Sequence, residues 1–281
     1  MSRDKQLGVV IVNYRTADLT IRCVESIIQH GIATSQQITV VDNLSPDDSV
    51  AVISQALPNI SLVASDTNAG FGAGVNIGVR ESDGDVLLIL NPDTYFEMDS
   101  VTPALALIEA DPKIGLLGLD LVYPDHTRQY SSRRFYSVLD IVARRLGVGT
   151  VWPFTRVVDR HLMRSAWVSS EPFDAEWVMG TGFLIPRAVY EEVGGMDEAY
   201  FLYMEDVDLC ARVWRAGYRV VCAPGAQLVH DHQRSSAASP LSRAGRAHMH
   251  SLLRFRKKFA LPFLRPPGIN RVIHAQRRGG W

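Results

Sequence analysis

Along the first 120 positions, short unbroken apolar runs alternate with stretches of helical spacing. "LGVVIV" (7–12) reads as a buried strand, and "ADLTIRCVESIIQH" (17–30) as a helix with Leu19, Cys23 and Ile27 on one face. The pattern repeats as strand 37–42, a helix near 46–57, strand 60–64, a helix near 72–82 and strand 85–90. Continuous apolar strands separated by helices predict an α/β fold, Rossmann-like, whose mostly parallel sheet carries helices on both faces. Residues 123–175 are less regular and rich in Arg, Ser and aromatic residues, which reads as a variable insertion lining a second binding site. Regular patterning resumes at "EWVMGTGFLIPR", followed by a helix over 205–216 and two strands, "YRVVCA" and "AQLVH". The expected organisation is an α/β half (1–122), a second half of the same domain (123–240) and a basic C-terminal helical segment (241–281).

The helix expected over 243–259 sets Arg243, Arg246, His250, Arg254, Lys257 and Lys258 on one face, with Met249, Leu252, Leu253, Phe255 and Phe259 opposite. From residue 232 to the end there are eleven Arg or Lys and no Asp or Glu. Residues 1–231 hold eighteen basic against thirty acidic residues. An acidic body with a basic end predicts an anionic partner for that end, and a basic amphipathic segment fits an anionic membrane surface. Nucleic acid is not expected, because the acids ring the main cleft. No apolar run approaches the ~18–20 residues of a spanning helix, and the first fifteen residues lack a signal-peptide core. Cys23, Cys210 and Cys222 are odd in number and scattered, which predicts reduced thiols in a cytoplasmic setting; together with the basic end, the expected location is cytoplasmic, peripheral at the inner face of the cell membrane.

In open α/β sheets, ligands sit at the carboxyl ends of the strands. Those ends deliver Asn13 and Tyr14, Asp42 and Asn43, Asp66 to Asn68, and Asn91 and Asp93. Turn chemistry accounts for any one of these; four strands in succession point to a polar site. "NAGFGAGVNIG" (68–78) places Gly70, Gly72, Gly74 and Gly78 at the start of a helix, suited to an anion at its N-terminus or to close helix–sheet packing. "MEDVDLCAR" (204–212) opens an amphipathic helix with Glu205, Asp206 and Asp208 in its first turn. Dipole compensation and an i,i+4 pair with Arg212 account for Asp208.

"VVIVNY", "VVDNLSPD", "NAGFGAGVNIG", "LILNPDT", "GTGFLIPR", "MEDVDLCAR" and "LVHDH" together resemble, in order, the family 2 inverting glycosyltransferases, over roughly residues 7–259. The chain is most similar to the rhamnosyltransferase-type members that build bacterial cell-wall and surface polysaccharides. The resemblance implies the GT-A fold and a nucleoside-diphosphate sugar donor, dTDP- or UDP-linked, with dTDP-rhamnose the best guess. It implies a glycan or polyprenyl-diphosphate-linked acceptor. Asn13, Tyr14 and Asp42 would hold the nucleoside, while Asn68, Gly70, Gly72 and Asn76 would lie along the diphosphate and sugar. "NPD" stands where the family has D-x-D, so Asn91 replaces the first aspartate and Asp93 remains to ligate Mg²⁺ or Mn²⁺. His230 corresponds to a metal ligand of some GT-A enzymes, though a histidine at a strand end also serves as a hydrogen-bonding residue. Asp206 would be the catalytic base, with Glu205 beside it. The alternatives are a nucleotidyltransferase that makes nucleotide-sugars, which would carry a basic glycine-rich loop where "NYRTAD" stands, and a non-catalytic glycan-binding protein.

Overall fold

The computed structural model describes residues 6–136, 154–231, 243–261 and 268–274. The strands are β1 Leu7–Asn13, β2 Ile38–Asp42, β3 Ser61–Ala64, β4 Val86–Leu90, β5 Thr94–Tyr95, β6 Ile114–Val122, β7 Ser132–Arg133, β8 Phe173–Asp174, β9 Trp177–Val178, β10 Gly182–Pro186 and β11 Arg219–His230. The helices are α1 Ala17–Gln29, α2 Ser49–Ala56, α3 Phe71–Glu81, α4 Val101–Ala110, α5 Phe154–His161, α6 Arg187–Glu192, α7 Glu205–Arg215, α8 Arg243–Lys258 and α9 Gly268–Ile273.

The main sheet runs β3-β2-β1-β4-β10-β6-β11-β5, with β8 also on β11. Its first four strands are parallel. Every residue of β1, β2 and β4 is buried. Val10, Val12, Leu87 and Ile89 enter one core cluster, while Val9, Ile11, Leu88 and Leu90 enter another. Because alternate residues point to opposite faces and both faces are covered, the strands read as continuous apolar runs. β3 lies at the edge and is half-exposed.

The second half departs from the parallel plan in a way that builds the site. β10 runs antiparallel between β4 and β6, with Gly182 opposite Leu90. An antiparallel strand begins where its parallel neighbour ends, so residues 180 and 181 lie beside residue 91; the Asn91 N–H donates to Thr181 O at 2.9 Å. The two strands expected at 218–230 are one strand, β11, whose register on β6 shifts between Ala223 and Gln227, across Pro224 and Gly225. Its end pairs antiparallel with β5, setting His230 opposite Thr94.

α8 corrects the expected division of its faces. Leu252, Phe255 and Phe259 are buried as expected, but Met249 and Leu253 are exposed. Arg254 and Lys258 turn inward: Lys258 Nζ lies 2.6 Å from Asp197 Oδ2 and 2.8 Å from Asp208 Oδ2, and Arg254 lies 3.8 Å from Asp197. Asp208 is fully buried and also accepts from Arg212 Nε at 2.5 Å. The pull of buried Asp208 and half-buried Asp197 outweighs the preference of a long cation for water, because an unpaired buried charge at Asp208 would be far more costly. Arg243, the first residue of the expected basic face, lies at the start of α8.

Candidate active site

The carboxyl ends of β1 and β2 form a closed polar network. Asn13 and Asp42 are register partners, and Asn13 Nδ2 donates to Asp42 Oδ1 at 2.6 Å. Asp42 also accepts from Ser45 Oγ at 2.6 Å and Ser45 N–H at 2.8 Å. Asn13 Oδ1 takes donors from Thr16 N–H, Thr16 Oγ and Thr20 Oγ. Both residues are buried, whereas Tyr14 is exposed above them. Asn43 bridges to the glycine segment, donating to Asn68 Oδ1 at 3.1 Å and Gly70 O at 3.0 Å, and its own Oδ1 is buried without a hydrogen-bond partner among the described residues.

The glycines are dictated by close approach. Gly70 has φ +101°, and a Cβ there would stand 2.2 Å from Phe201 O. At Gly74 a Cβ would stand 2.7 Å from Val12 Cγ1, so α3 lies directly on β1. Gly72 faces Met196 and Glu205, which places the start of α3 against the loop that leads into α7. Asn76, expected along the diphosphate and sugar, is instead engaged with that loop. Its amide donates to Met196 O at 3.0 Å and Glu198 Oε1 at 2.8 Å, and its Oδ1 accepts from Tyr190 OH at 2.5 Å and Met196 N–H at 2.9 Å. With every polar atom of the amide taken, Asn76 holds residues 196–198 in place.

Asp93 and His230 meet. His230 is buried, and its Nε2 lies 3.3 Å from Asp93 Oδ2. The Gln129 amide donates from Nε2 to Val122 O and His230 O, so its Oε1 must face His230 Nδ1, at 2.7 Å. An amide oxygen only accepts, which fixes the imidazole proton on Nδ1. In the neutral ring, Nε2 then presents a lone pair toward a carboxylate oxygen, an arrangement that calls for a proton or a cation between them. A histidine whose second nitrogen is held in this way is the usual arrangement of a metal ligand; among the described residues no group of three or more His, Cys, Asp or Glu gathers here, so the pair fits a divalent ion only together with ligands from a substrate. Cys23 Sγ lies 3.6 Å from Thr94 Oγ, and burial pushes its thiol up to about 12.

The second carboxylate pair stands at the N-terminus of α7. Tyr203 and Met204, just before it, both have positive φ (67° and 73°), a strained approach that the surrounding packing holds. Asp206 Oδ2 accepts from Gly180 N–H at 2.9 Å and Oδ1 from Val207 N–H at 2.8 Å. Glu205 is buried, and its Oε2 has no hydrogen-bond partner among the described residues. Burial and the neighbouring Asp206 charge push Glu205 up to about 8. Burial also raises Asp206, opposed by its two backbone donors and by Arg133. Both carboxyls of this pair are therefore raised, and Asp206, whose two oxygens each accept an N–H, is better placed than Glu205 to carry the charge.

The sequence of the chain matches the model of glycosyl transferase family 2 over residues 8–206. The chain belongs to glycosyl transferase family 2. It is 29% identical over 255 residues to N-acetylglucosaminyl-diphospho-decaprenol L-rhamnosyltransferase of Mycobacterium tuberculosis, covering 86% of this chain and 81% of that one. It is 28% identical over 197 residues to rhamnosyltransferase WbbL of Escherichia coli, covering 66% and 69%. Among solved structures it resembles GalNAc-T7 with UDP, GalNAc and Mn²⁺ (TM-score 0.64, 16% identity), covering 92% of this chain and 49% of that one. The fold is thus that of the GT-A glycosyltransferases, and membership of the family sets aside the nucleotidyltransferase reading.

The candidate site is drawn from residues far apart in the chain. The turn between β4 and β5 supplies Asn91 and Asp93, β11 supplies His230, and α7 supplies Glu205 and Asp206, while the dipeptide Gly180–Thr181 touches both Asp206 and Asn91. Four contributors were not singled out from the sequence. Ser45 lies inside the quoted "DNLSPD", and Arg133 inside "SSRRFYSV"; Gln129 and Gly180 act through strand pairing, which spacing alone does not reveal.

Proposed function

We propose that this protein is an inverting rhamnosyltransferase that moves L-rhamnose from dTDP-rhamnose to a hydroxyl of a sugar carried on a polyprenyl diphosphate, in cell-wall or surface polysaccharide synthesis. The names of its relatives support the sugar and the lipid-linked acceptor. The observation that supports the chemistry is that Gly180 touches Asp206 while Thr181 touches the backbone of Asn91, two residues before Asp93, which would set a cation site beside a base. Residues 1–122 would form the donor half and 123–240 the acceptor half, with Tyr14 and Asp42 beside the nucleoside and the Asn68–Gly72 segment beside the diphosphate. The membrane setting is the inner leaflet, where such an acceptor is held; among the described residues no helix is long and apolar enough to cross a membrane.

In this reading Asp206 takes the proton from the acceptor hydroxyl as that oxygen attacks the anomeric carbon on the side opposite the departing diphosphate. Gly180 N–H and the α7 N-terminus keep Asp206 ionised and oriented, and protonated Glu205 spares it a second negative neighbour. Asp93 and His230 would hold Mg²⁺ or Mn²⁺, with the diphosphate completing the ligand set; when bound, the ion supplies charge neutralisation of the leaving nucleoside diphosphate.

The test is transfer from dTDP-rhamnose to a short-chain N-acetylglucosaminyl diphosphate lipid, with the product linkage read by NMR. The expected product has the anomeric configuration opposite to that of the donor. Activity should disappear with chelator, return with Mn²⁺, and stay absent in Asp93→Ala. Retention of configuration, or full activity in chelator, would contradict the mechanism.

A further inference from the structure

The two faces of α8 do different things. Its inner face packs on the catalytic loop: Ser251 Oγ donates to Leu202 O at 3.0 Å, the rings of His248 and Tyr203 lie 5.1 Å apart, and Lys258 reaches Asp197 and Asp208. Its outer face carries Arg246, Met249, His250, Leu253 and Lys257, all exposed. Steps of three, one, three and four residues keep these on a single stripe, about 16 Å long at 1.5 Å per residue. Met249 is 39% and Leu253 53% exposed, two large apolar side chains set between cations.

A face that merely meets water ordinarily mixes charge signs and does not pair exposed apolar residues one turn apart. Here α8 and α9 contain no acid at all, and α9 adds the exposed Arg271. The complement of such a surface is anionic, and the apolar pair selects a partner with a hydrocarbon layer beneath its charges. We propose that the outer stripe of α8 lies on an anionic lipid bilayer, with Arg246 and Lys257 among the headgroups and Met249 and Leu253 at the acyl boundary. The helix would hold the catalytic loop within one helix diameter, about 10–12 Å, of the lipid surface. The purpose of that placement rests on the lipid-linked acceptor proposed above; the binding itself does not.

The experiment is co-sedimentation of the full chain with vesicles of phosphatidylcholine alone and of phosphatidylcholine with 30% phosphatidylglycerol. Binding is expected only to the anionic vesicles and should weaken in 0.5 M salt. Arg246→Gln with Lys257→Gln should reduce partitioning roughly 30-fold, at about fivefold per cation, and Met249→Ser with Leu253→Ser should also reduce it severalfold. These variants should keep wild-type circular dichroism and wild-type transfer to a water-soluble acceptor, which separates a lost surface from a lost fold. No binding to anionic vesicles would overturn the proposal. So would binding that ignores these four positions, or equal binding to RNA that ignores Met249 and Leu253. Vesicle binding without any sugar transfer would overturn the proposed function and leave this surface standing.

Discussion

Asp42 and Glu205 are both buried acids beside the same cleft, and their surroundings are opposite. Asp42 is surrounded by donors from Asn13 and Ser45, and Asn13 is itself anchored by Thr16 and Thr20. Glu205 Oε2 faces no donor among the described residues, stands next to a second carboxylate, and follows two residues in left-handed backbone. The first arrangement is built to stay as it is: a rigid polar floor at the ends of β1 and β2. The second raises a carboxyl by burial and sets beside it, in Asp206, the partner that has N–H donors for its charge. The difference separates a region braced by hydrogen bonds from one that the proposed mechanism uses for proton transfer.

The largest expected effect of breaking this contrast lies at Asp206. Asp206→Asn preserves the shape and keeps one of the two N–H contacts while removing the proton acceptor, so kcat should fall ~10²–10⁴-fold with donor affinity retained. Steady-state kinetics with separate measurement of nucleotide binding checks this; lost binding with intact kcat would move Asp206 into the donor pocket.

A smaller effect is expected at the floor. Asn13→Ala strips a donor from Asp42 and an acceptor from two threonines, which should destabilise the fold by about 1–3 kcal/mol. Urea unfolding of the variant checks it, and unchanged stability with abolished donor binding would mean that Asn13 serves the ligand rather than the scaffold.

The smallest effect is a change in how stability depends on pH. Glu205 is raised in the folded state to about 8, by burial first and by Asp206 second. A carboxyl that binds its proton more tightly when folded makes stability fall as pH rises from its unfolded range, near 4.3–4.5, to about 8. Glu205→Gln should therefore raise Tm by a few degrees at pH 8 and change it little at pH 4.5, measured by thermal denaturation. An identical shift at both pH values would show that packing, not ionisation, is responsible.

The same contrast explains what could be read from the sequence. β1, β2 and β4 were legible because burial on both faces leaves an uninterrupted apolar run, and Asp42, Asp93 and Asp206 because each ends such a run or opens an amphipathic helix. The pairing of Asp93 with His230 depends on β11 meeting β5, a contact between residues more than 130 positions apart. The role of Asn76 was hidden for the same reason, since its partners sit 120 residues away in the loop it anchors. The faces of α8 were misread because helical spacing shows which residues share a side but not that half-buried Asp197 and buried Asp208 wait beneath it. Lys258 follows the carboxylates inward, and Leu253 is left in the open.

The most direct test of the division of labour at α7 is an NMR titration of the side-chain carboxyls of protein labelled at glutamate Cδ, with Glu205→Gln to assign the signal. One glutamate should remain protonated at neutral pH, titrate near 8, and vanish in the variant. If every glutamate titrates between about 4 and 5, the ordinary range, then Glu205 is ionised beside Asp206, and the proposed placement of the shared proton is wrong.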